Sequence, residues 1–314
     1  FQPVTLIIEE AAETREGNIT SALYSSIQQL VLVGDHKQMS PRCDIRWLGE
    51  DPYNLNVSLF ERLINLKINP IMLNQQRRMR PEISSIVSQF YDNLKDHKDV
   101  QSRPDVPGMG GRNCWFFDHE WIEETNADNS KLNDQEAEMI TRFFVYLIAN
   151  EVPSEKITVL TYYRGQRSLL LRKLKRQPSL TGCYFNVHTV DSFQGQENDI
   201  VLLSLVRSPD PAYGRSIGFL DNEHRAVVAI SRARQGFYIF GNVDNLTGAN
   251  IESTWLWARI FKRFKNECEV NRKLGLPLVC KNHKKEIWVK EPEELEVNAG
   301  GCHERCGATR PCGH

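Results

Sequence analysis

Residues 6–13 read LIIEEAAE, and this stretch places two adjacent acids directly after an apolar run near the start of the chain. Residues 4–8 (VTLII) predict a short buried strand of a parallel sheet, in which both faces are covered. Glu9 and Glu10 then lie at the carboxyl end of that strand, the edge at which open α/β sheets bind ligands. Two carboxylates there indicate a bound cation or an activated water, whereas a solvated loop is the plainer interpretation of the same pair.

A second apolar run has the same arrangement, since residues 30–33 (LVLV) lead directly into the polar residues 34–38 (GDHKQ). Farther along the chain, apolar segments of strand length alternate with longer segments in which apolar residues recur at helical spacing. The helical spacing is clearest in residues 133–150, and the strand-like runs include residues 156–163 and 199–206. This alternation favours an α/β fold built on a doubly wound parallel sheet.

The length and composition are those of an ordinary globular protein of about two domains. The 314 residues include 25% charged and 40% apolar side chains, and the formal net charge is −1. This charge argues against a protein that coats nucleic acid through bulk positive charge, although a locally positive channel is compatible with it. No apolar stretch approaches the roughly 18 residues that cross a bilayer, so we expect no membrane segment.

Cysteine usage is uneven, because four of the eight cysteines fall within the last 35 residues. Three histidines stand beside them, so that the cluster comprises Cys280, His283, Cys302, His303, Cys306, Cys312 and His314. Thiols and imidazoles at short spacing indicate metal ligation more than a disulfide framework. A reducing compartment, either cytoplasmic or nuclear, fits this usage best.

Four polar segments, in their order along the chain, resemble the successive motifs of superfamily 1 helicases, in the branch typified by the nonsense-mediated-decay RNA helicase. The segments are GDHKQMSP (34–41), LNQQRRMRP (73–81), TVDSFQGQENDIVLLSLVRS (189–208) and VVAISRAR (227–234). Four patterned segments in order are far more specific than a single motif. With the Cys/His tail appended, the chain resembles the helicases that carry NFX-type zinc fingers.

This resemblance covers residues 1 to about 250 and implies RecA-like domains with doubly wound parallel sheets. It places the C-terminal part of a first RecA-like domain in residues 1–68 and a complete second one in residues 69–265. Residues 266–314 are expected to hold a linker and the start of an NFX-type zinc-finger region, which makes the tail zinc-binding.

The resemblance makes LIIEEAAE the Walker B element of an ATPase. It implies that Glu9 helps to hold Mg²⁺ and that Glu10 orients or deprotonates the attacking water. Glu9 stands where the family usually has Asp, and its extra methylene moves the carboxylate outward, so magnesium would be held through water or the strand end would shift. Gln38 corresponds to the residue that senses the γ-phosphate, a task that suits an amide because it can both donate and accept.

Several basic and polar residues of the second domain correspond to groups that reach ATP. Arg78 and Arg232 match the two arginines that neutralise charge on the transferred phosphoryl group, and the family motif favours Arg232 over Arg234. Arg77 occupies the position at which relatives place an aromatic residue against adenine, and its guanidinium plane can still stack on a base. The nucleotide-binding set implied by the resemblance is Gln76, Arg77, Gly195 and Glu197.

The resemblance also implies a path for a single strand of nucleic acid. The residues that it assigns to the strand are Thr161, Gln166, Thr189 and Ser192, whose hydroxyl and amide groups can hold phosphates without reading sequence. Taken singly, each of them is more typical of a turn or a cap. RNA is expected from the family, but DNA is not excluded, because nothing in these residues reads a 2′-hydroxyl.

A phosphate loop of the form GxxxxGK[ST] is needed by any such motor, and that string does not occur in the 314 residues. In the family it lies upstream of Walker B. We therefore expect the loop in a preceding part of the protein, and we do not expect this chain to hydrolyse ATP alone.

The Cys/His tail predicts at least one zinc site, with its ligand grouping open. Cys280-x2-His283 and Cys302-x3-Cys306 can supply four ligands to one tetrahedral zinc, although 18 residues separate the two pairs. Alternatively, Cys302, Cys306 and Cys312 combine with either His303 or His314. Cys312 and His314 also resemble the opening of a further NFX-type finger, a region that would contact protein partners.

Three functional hypotheses follow. The first is an ATP-dependent RNA helicase or translocase that closes two RecA-like domains around ATP and steps along RNA. The second is a catalytically weak or inactive RNA-binding scaffold, which the departures at Glu9 and Arg77 favour. The third gives the main role to the zinc array, as a binding or ubiquitin-ligase-like module with the motor as an accessory.

Overall fold

The computed structural model describes residues 2–248, 251–264, 275–280 and 283–298. We use "first unit" for residues 2–68 and "second unit" for the described residues from 69 to 264. None of the described helices is long and apolar enough to cross a membrane.

The first unit contains two parallel strands and three short helices. Strands β1 and β2 pair from Thr5 opposite Gln29 to Ile8 opposite Leu32. Ser58 caps the third helix, since its hydroxyl accepts a hydrogen bond of 3.0 Å from the backbone N–H of Glu61. The elements are β1 (Thr5–Ile8), α1 (Glu16–Ser21), β2 (Gln29–Leu32), α2 (Arg46–Gly49) and α3 (Leu59–Asn65).

The second unit is built on a five-stranded, wholly parallel sheet with the strand order β5-β11-β10-β8-β9. Its strands are β5 (Cys114–Asp118), β8 (Ile157–Thr161), β9 (Asn186–Thr189), β10 (Asn198–Ser204) and β11 (Ala233–Gly241). All five residues of β8 are buried, as expected of a central strand covered on both faces. The prediction of an α/β fold with a parallel sheet is confirmed.

Helices and two-residue strands complete the second unit. The helices are α4 (Pro81–Val87), α5 (Asp134–Ala149), α6 (Arg164–Lys175), α7 (Glu223–Ile230), α8 (Val243–Gly248) and α9 (Ile251–Arg263). The short strands form the pairs β3 (Gln75–Gln76) with β4 (Lys95–Asp96) and β6 (Glu124–Thr125) with β7 (Lys131–Leu132). One apolar core joins α4, α5, α6, α7 and the sheet.

Residues 275–280 and 283–298 differ from the predicted linker. They form an antiparallel hairpin and a helix, β12 (Leu276–Val279), β13 (Glu286–Val289) and α10 (Pro292–Asn298). Leu276 and Leu278 are fully buried in the core of the second unit, and α10 contacts α5. The predicted zinc ligands Cys302, Cys306, Cys312 and His314 lie outside the described residues.

Candidate active site

The acid pair follows β1 on a tight turn that faces the second unit. Both Glu9 and Glu10 are exposed, and Glu10 has a left-handed backbone with φ of +50°. The carbonyl of Glu10 accepts hydrogen bonds from the backbone N–H groups of Glu13 and Thr14 at 3.0 and 3.2 Å, which closes the turn. A Cβ built on Gly195 would lie 3.8 Å from Glu10 Oε1. The carboxylate of Glu10 therefore points across the gap between the units.

Other carboxylates crowd this edge. Burial raises the pKa of Glu13, and the charges of Glu10 and Asp191 raise it further. Three acids from both units thus repel one another near the end of β1. Such a concentration of negative charge is stabilised by a divalent cation, which prefers oxygen ligands. The edge therefore offers oxygen ligands of the kind that magnesium prefers, and the roles of Glu9 and Glu10 there stay predictions.

The loop after β2 is organised around the carboxylate of Asp35. Asp35 Oδ1 accepts from the backbone N–H of Lys37 at 3.0 Å, and Oδ2 accepts from Gln38 Nε2 at 2.7 Å. Gly34 is required at the start of the loop, because a Cβ there would lie 2.8 Å from the backbone nitrogen of Ala12. The side chain of Gln38 is thus held with its Nε2 towards Asp35 and its oxygen free to face the second unit.

Arg232, at the end of α7, reaches that oxygen from the second unit. Its Nη2 donates to Gln38 Oε1 at 2.7 Å, and its Nη1 donates to the carbonyl of Gln196 at 3.2 Å. The side chain is fully buried, with a residue exposure of 1%. Burial, together with the charge of Arg78, lowers the pKa of Arg232 to about 10, so the guanidinium stays charged at neutral pH.

The charge of Arg232 lacks a direct counterion within the part of the chain that the structure describes. Its hydrogen-bond acceptors there are amide, carbonyl and hydroxyl oxygens, and no carboxylate oxygen lies within 4.0 Å. Glu10 and Glu197 act on it only at longer range. A buried cation without an ion-pair partner favours the entry of an anion, because burying unpaired charge is costly.

Arg78 and Arg234 both bond to the carboxylate of Glu197, close to Arg232. Arg78 Nε is bonded to Glu197 Oε2, and Arg234 Nε donates to Glu197 Oε1 at 2.8 Å. Burial alone would raise the pKa of Glu197, but the hydrogen bonds and charges of Arg234 and Arg78 outweigh it, so the pKa is lowered. Arg234 also donates to Asp199 at 2.9 Å. The two arginines of SRAR therefore face different partners, and only Arg232 bonds to the first unit.

Gln76 and Arg77 lie beside this cluster, and the side chain of Gln76 is half-buried whereas that of Arg77 is exposed. Gln76 Oε1 accepts from the backbone N–H groups of Arg78 and Met79 at 2.9 and 2.8 Å, and its Nε2 donates to Asp96 at 2.6 Å. Gln76 therefore shapes the turn that presents Arg78. The side chain of Arg77 is exposed, which leaves its planar face open for stacking.

A second cleft, of about 1000 Å³, lies between the units on the side of β9. It contains Thr189 and Ser192, whose hydroxyls lie 3.0 Å apart. Further lining residues are Arg42 and Asp44 of the first unit and Asn126, Ser130, Arg164 and Phe219 of the second. The cleft thus combines arginines with hydroxyl and aromatic groups, as sites for single strands do, although Asp44, Asp128 and Asp191 also line it and balance much of the positive charge.

The structure does not bring Thr161 and Gln166 to the surface of this cleft. Both side chains are fully buried. Gln166 Oε1 accepts from the backbone N–H of Asn133 at 2.8 Å, and its Nε2 donates to Ser204 at 3.1 Å. The amide of Gln166 therefore joins α6 to α5 and β10, and it leaves no group for a strand.

Two site residues were not predicted from the sequence. Tyr91 donates from its hydroxyl to Asp35 Oδ2 at 2.6 Å, which links the second unit to the loop of the first. Burial raises the pKa of Tyr91 and the charge of Asp35 raises it further, so the hydroxyl stays protonated. The pattern FYDN carries no signal for this contact. Asp35 could have been found in GDHKQ, since a short acidic side chain there commonly bonds the backbone two residues on.

The tail places two of the predicted metal ligands together. Cys280 Sγ lies 3.8 Å from His283 Nδ1. Sulfur and nitrogen ligands of one tetrahedral zinc are separated by about 3.6 Å, given the usual bond lengths, so the pair fits a shared metal. Among the described residues, no three His, Cys, Asp or Glu side chains form a metal site.

Similar proteins are found among known helicases. A family model described as an AAA domain matches residues 55–244. The chain is 42% identical, over 95% of its length, to the helicase required for RNAi-mediated heterochromatin assembly 1 of Schizosaccharomyces pombe, and covers 29% of it. It is 37% identical over its full length to the Mus musculus NFX1-type zinc finger-containing protein 1, covering 16%. Identity to Regulator of nonsense transcripts 1 of Caenorhabditis elegans is 32% over 84% of the chain and 25% of that protein. The chain spans less than a third of each relative.

Proposed function

The chain belongs to the superfamily 1 helicase family whose AAA domain model matches residues 55–244, and from this membership we propose that the whole protein is an ATP-dependent RNA helicase or translocase. The predicted resemblance to the nonsense-transcript regulators and the NFX-type zinc-finger helicases is confirmed. The observation that carries the proposal is the hydrogen bond between Arg232 of the second unit and Gln38 of the first, beside Glu10.

In this proposal ATP binds in the gap between the units. The unpaired charge of Arg232 neutralises the transferred phosphoryl group, and Gln38 orients the γ-phosphate or the attacking water. Glu10 accepts the proton of that water, since its exposed carboxylate faces the gap. Glu9 would help to hold Mg²⁺ at the end of β1, and the ion, when bound, would neutralise charge at the phosphates.

The neighbouring groups support nucleotide binding. The carboxylate of Glu197 orients Arg78. A nucleotide bound at Arg78 would therefore act on the segment that connects Glu197 to Thr189 and Ser192 in the second cleft. Gly195 allows close approach to Glu10, because its φ of +73° is reached without a side chain. Gln76 holds the turn before Arg78, and Arg77 stacks on the base.

Single-stranded RNA occupies the second cleft in this proposal. Thr189 and Ser192 present hydroxyls to its phosphates, and Arg164 supplies positive charge at the start of α6. Phe219 is 56% exposed and offers a ring on which a base can stack. RNA is favoured over DNA by the names of two relatives, one required for RNAi-mediated assembly and one a regulator of nonsense transcripts.

The tail adds a zinc site and a surface for protein partners. Cys280 and His283 fit two positions of a tetrahedral ion, which would cross-link the hairpin to a later segment. The other two ligands are proposed to come from Cys302 and Cys306, unless Cys302, Cys306 and Cys312 form a separate site with His303 or His314. Reduced thiols are needed for this ligation, so the proposal includes a cytoplasmic or nuclear location.

The test is RNA-stimulated ATP hydrolysis by the whole protein. Glu10→Gln removes the proton acceptor and is expected to lower kcat by about 10²- to 10⁴-fold. Arg232→Lys keeps the charge but loses the planar fork, and Arg232→Ala loses both, with an expected loss of about 10³-fold.

The matched control is Arg142→Ala on the surface of α5, where Arg142 pairs with Glu138 at 2.7 Å and lies outside both clefts. Its kcat should equal that of the wild type. Full activity in both Glu10→Gln and Arg232→Ala would show that the site is wrongly assigned. RNA binding without any ATP hydrolysis in the wild type would instead support the second candidate, an RNA-binding scaffold, which the substitutions at Glu9 and Arg77 favour.

A further inference from the structure

Tyr91 makes a contact between the units that the proposed catalytic roles do not use. It directly follows the short 3₁₀ turn Ser88–Phe90 of the second unit. Its hydroxyl donates to Asp35 Oδ2 at 2.6 Å, and the same oxygen accepts from Gln38 Nε2 at 2.7 Å. One carboxylate oxygen of the first unit is therefore held by two donors, one from each unit.

The turn that carries Tyr91 is fixed from behind by helix α9. Arg259 Nη2 donates to the carbonyl of Gln89 at 3.0 Å. The guanidinium of Arg259 also lies 4.9 Å from the centre of the Phe90 ring, within the range of a cation–π contact. Because Arg259 holds both Gln89 and Phe90, the hydroxyl of Tyr91 is fixed in one direction.

The orientation of the Gln38 amide depends on this arrangement. Asp35 can only accept, so it selects the Nε2 end of Gln38 and leaves Oε1 facing Arg232. A flipped amide would direct two N–H donors at a guanidinium that can only donate. Holding Asp35 in place therefore holds the amide in the one orientation that bonds to Arg232.

We propose that Tyr91 is a positioning residue, which fixes Asp35 from the second unit and thereby sets the orientation of Gln38 towards Arg232 and the nucleotide. This inference rests on the proposed ATPase function. Tyr91 touches no reacting atom in this scheme. Its effect falls on the rate of hydrolysis rather than on ATP affinity, because Gln38 acts on the phosphoryl group that is transferred.

The variant Tyr91→Phe in the whole protein removes the hydroxyl and keeps the ring. A hydrogen bond to a carboxylate is lost, so kcat for RNA-stimulated hydrolysis is expected to fall about tenfold. KM for ATP should stay within about twofold of the wild-type value. The melting temperature should stay within about 2 °C of that of the wild type. Hydrogen exchange at the Lys37 and Gln38 amides should rise at least about fivefold, because the loop opens locally more often.

Two comparisons separate positioning from general damage. Tyr146→Phe removes a hydroxyl that donates to the Gly108 carbonyl at 2.8 Å, away from both clefts, and should leave kcat and loop exchange unchanged. In an Asp35→Asn background, Tyr91→Phe should change kcat by less than about twofold, because both residues act through one contact.

Unchanged exchange in Tyr91→Phe overturns the proposal, as does unchanged kcat in a wild-type protein that is active. Equal losses of kcat in Tyr91→Phe with and without Asp35→Asn also overturn it. If the wild-type protein hydrolyses no ATP, the proposed function fails, and the exchange result alone then decides whether Tyr91 holds the loop.

Discussion

At the scale of single residues, the site depends on which acceptors surround each arginine. Arg232 and Arg234 are two positions apart in SRAR, yet Arg232 is buried among neutral oxygens and Arg234 is bonded to two carboxylates. A guanidinium that already has carboxylate partners gains less from a phosphate than one that has none. This difference supports Arg232 as the group that meets the triphosphate and Arg234 as a support for Glu197.

The ion cluster at Glu197 leads to a prediction about stability and pH. Glu197→Gln should lower the melting temperature by roughly 2–4 °C at pH 7, because Arg78 and Arg234 lose a shared carboxylate worth about 1 kcal/mol at a partly exposed site. The pKa of Glu197 is lowered in the folded state, so its contribution is complete above the unfolded value of 4.5 and is lost as pH falls through the folded pKa. Thermal unfolding of both proteins from pH 7 downward should show the difference shrinking in acid.

The exposed Glu120 provides the control, since Glu120→Gln changes the same formal charge elsewhere on the surface. Its melting temperature should follow that of the wild type across the pH range. A Glu197→Gln deficit that is constant with pH would mean that packing, rather than charge, stabilises the cluster.

Sequence patterns predicted the chemically distinctive residues better than their surroundings. The acids after β1 and the arginine of SRAR could be selected as candidates because they stand in ordered motifs, whereas the contact between Tyr91 and Asp35 joins residues 56 positions apart. Thr161 and Gln166 show the opposite case. Their motif suggested strand contacts, but full burial of both side chains is decided by the packing of α6 on the sheet.

At the scale of elements, a carboxylate in the first turn of α5 bonds to the loop that follows β5 and to the loop that follows β10. Glu136 is fully buried, and its carboxylate accepts from Ser204 Oγ and from the backbone N–H of Val206 at 3.1 Å. His119 Nε2 lies 2.8 Å from its other oxygen. Val206 has a φ of +69°, a left-handed conformation that is costly for a β-branched residue. The carboxylate therefore holds a strained turn directly after β10.

The variant Glu136→Gln tests the contribution of these hydrogen bonds to stability. The amide supplies one acceptor and an unwanted donor in a site that offers several N–H and O–H groups, so buried donors are left without partners. The free energy of unfolding should fall by about 2–3 kcal/mol, and the melting temperature by roughly 4–10 °C. Calorimetry measures both.

Glu138→Gln on the same helix is the matched comparison, since Glu138 is partly exposed and pairs with Arg142 and Lys173. Its loss should be below about 1 kcal/mol, as for surface ion pairs. Similar losses in the two variants would contradict a special role for the buried carboxylate.

The strands of the second unit were predictable, but the tail was not. Residues 157–161 (ITVLT) and 200–203 (IVLL) are short runs rich in β-branched and apolar residues, a pattern typical of buried parallel strands. The tail offers only short apolar groups among prolines and charges, which is typical of a linker. Its hairpin is stabilised by groups distant in sequence, such as Trp115, whose ring lies 5.8 Å from that of Trp288.

At the scale of the whole molecule, polar contacts join the two units at two places, although Met39 of the first unit also packs against the apolar core. Arg232 bonds to Gln38 and Tyr91 bonds to Asp35 in the gap between the units, while arginines from both units and hydroxyls from the second line the second cleft. Polar contacts can be exchanged for contacts to a ligand at little net cost, because each group keeps a partner. The contacts between the units can therefore be exchanged for contacts to a ligand, as the proposed function requires.

The tail, in contrast, is attached to the second unit by apolar packing, and this leads to the last prediction. A chain that ends at residue 298 keeps Leu276, Leu278 and Val289 buried but lacks the later cysteines, whereas one that ends at residue 264 lacks the whole hairpin. Each buried apolar side chain contributes about 1.5–3 kcal/mol. Ending at 264 should therefore lower the melting temperature of the second unit by about 5 °C or more, and ending at 298 should lower it by less than about 2 °C.

Zinc chelation tests whether apolar packing or a bound metal ion holds the hairpin on the second unit. If packing holds the hairpin, chelation of the 314-residue chain should leave the melting temperature of the second unit within about 2 °C, even where the proposed zinc site would lose its ion. The Tyr146 hydroxyl, which donates to the Val279 carbonyl at 3.2 Å, would still fix the hairpin to α5. A chain ending at 298 that melts as low as one ending at 264 would instead show that the segment beyond residue 298 holds the hairpin on the second unit.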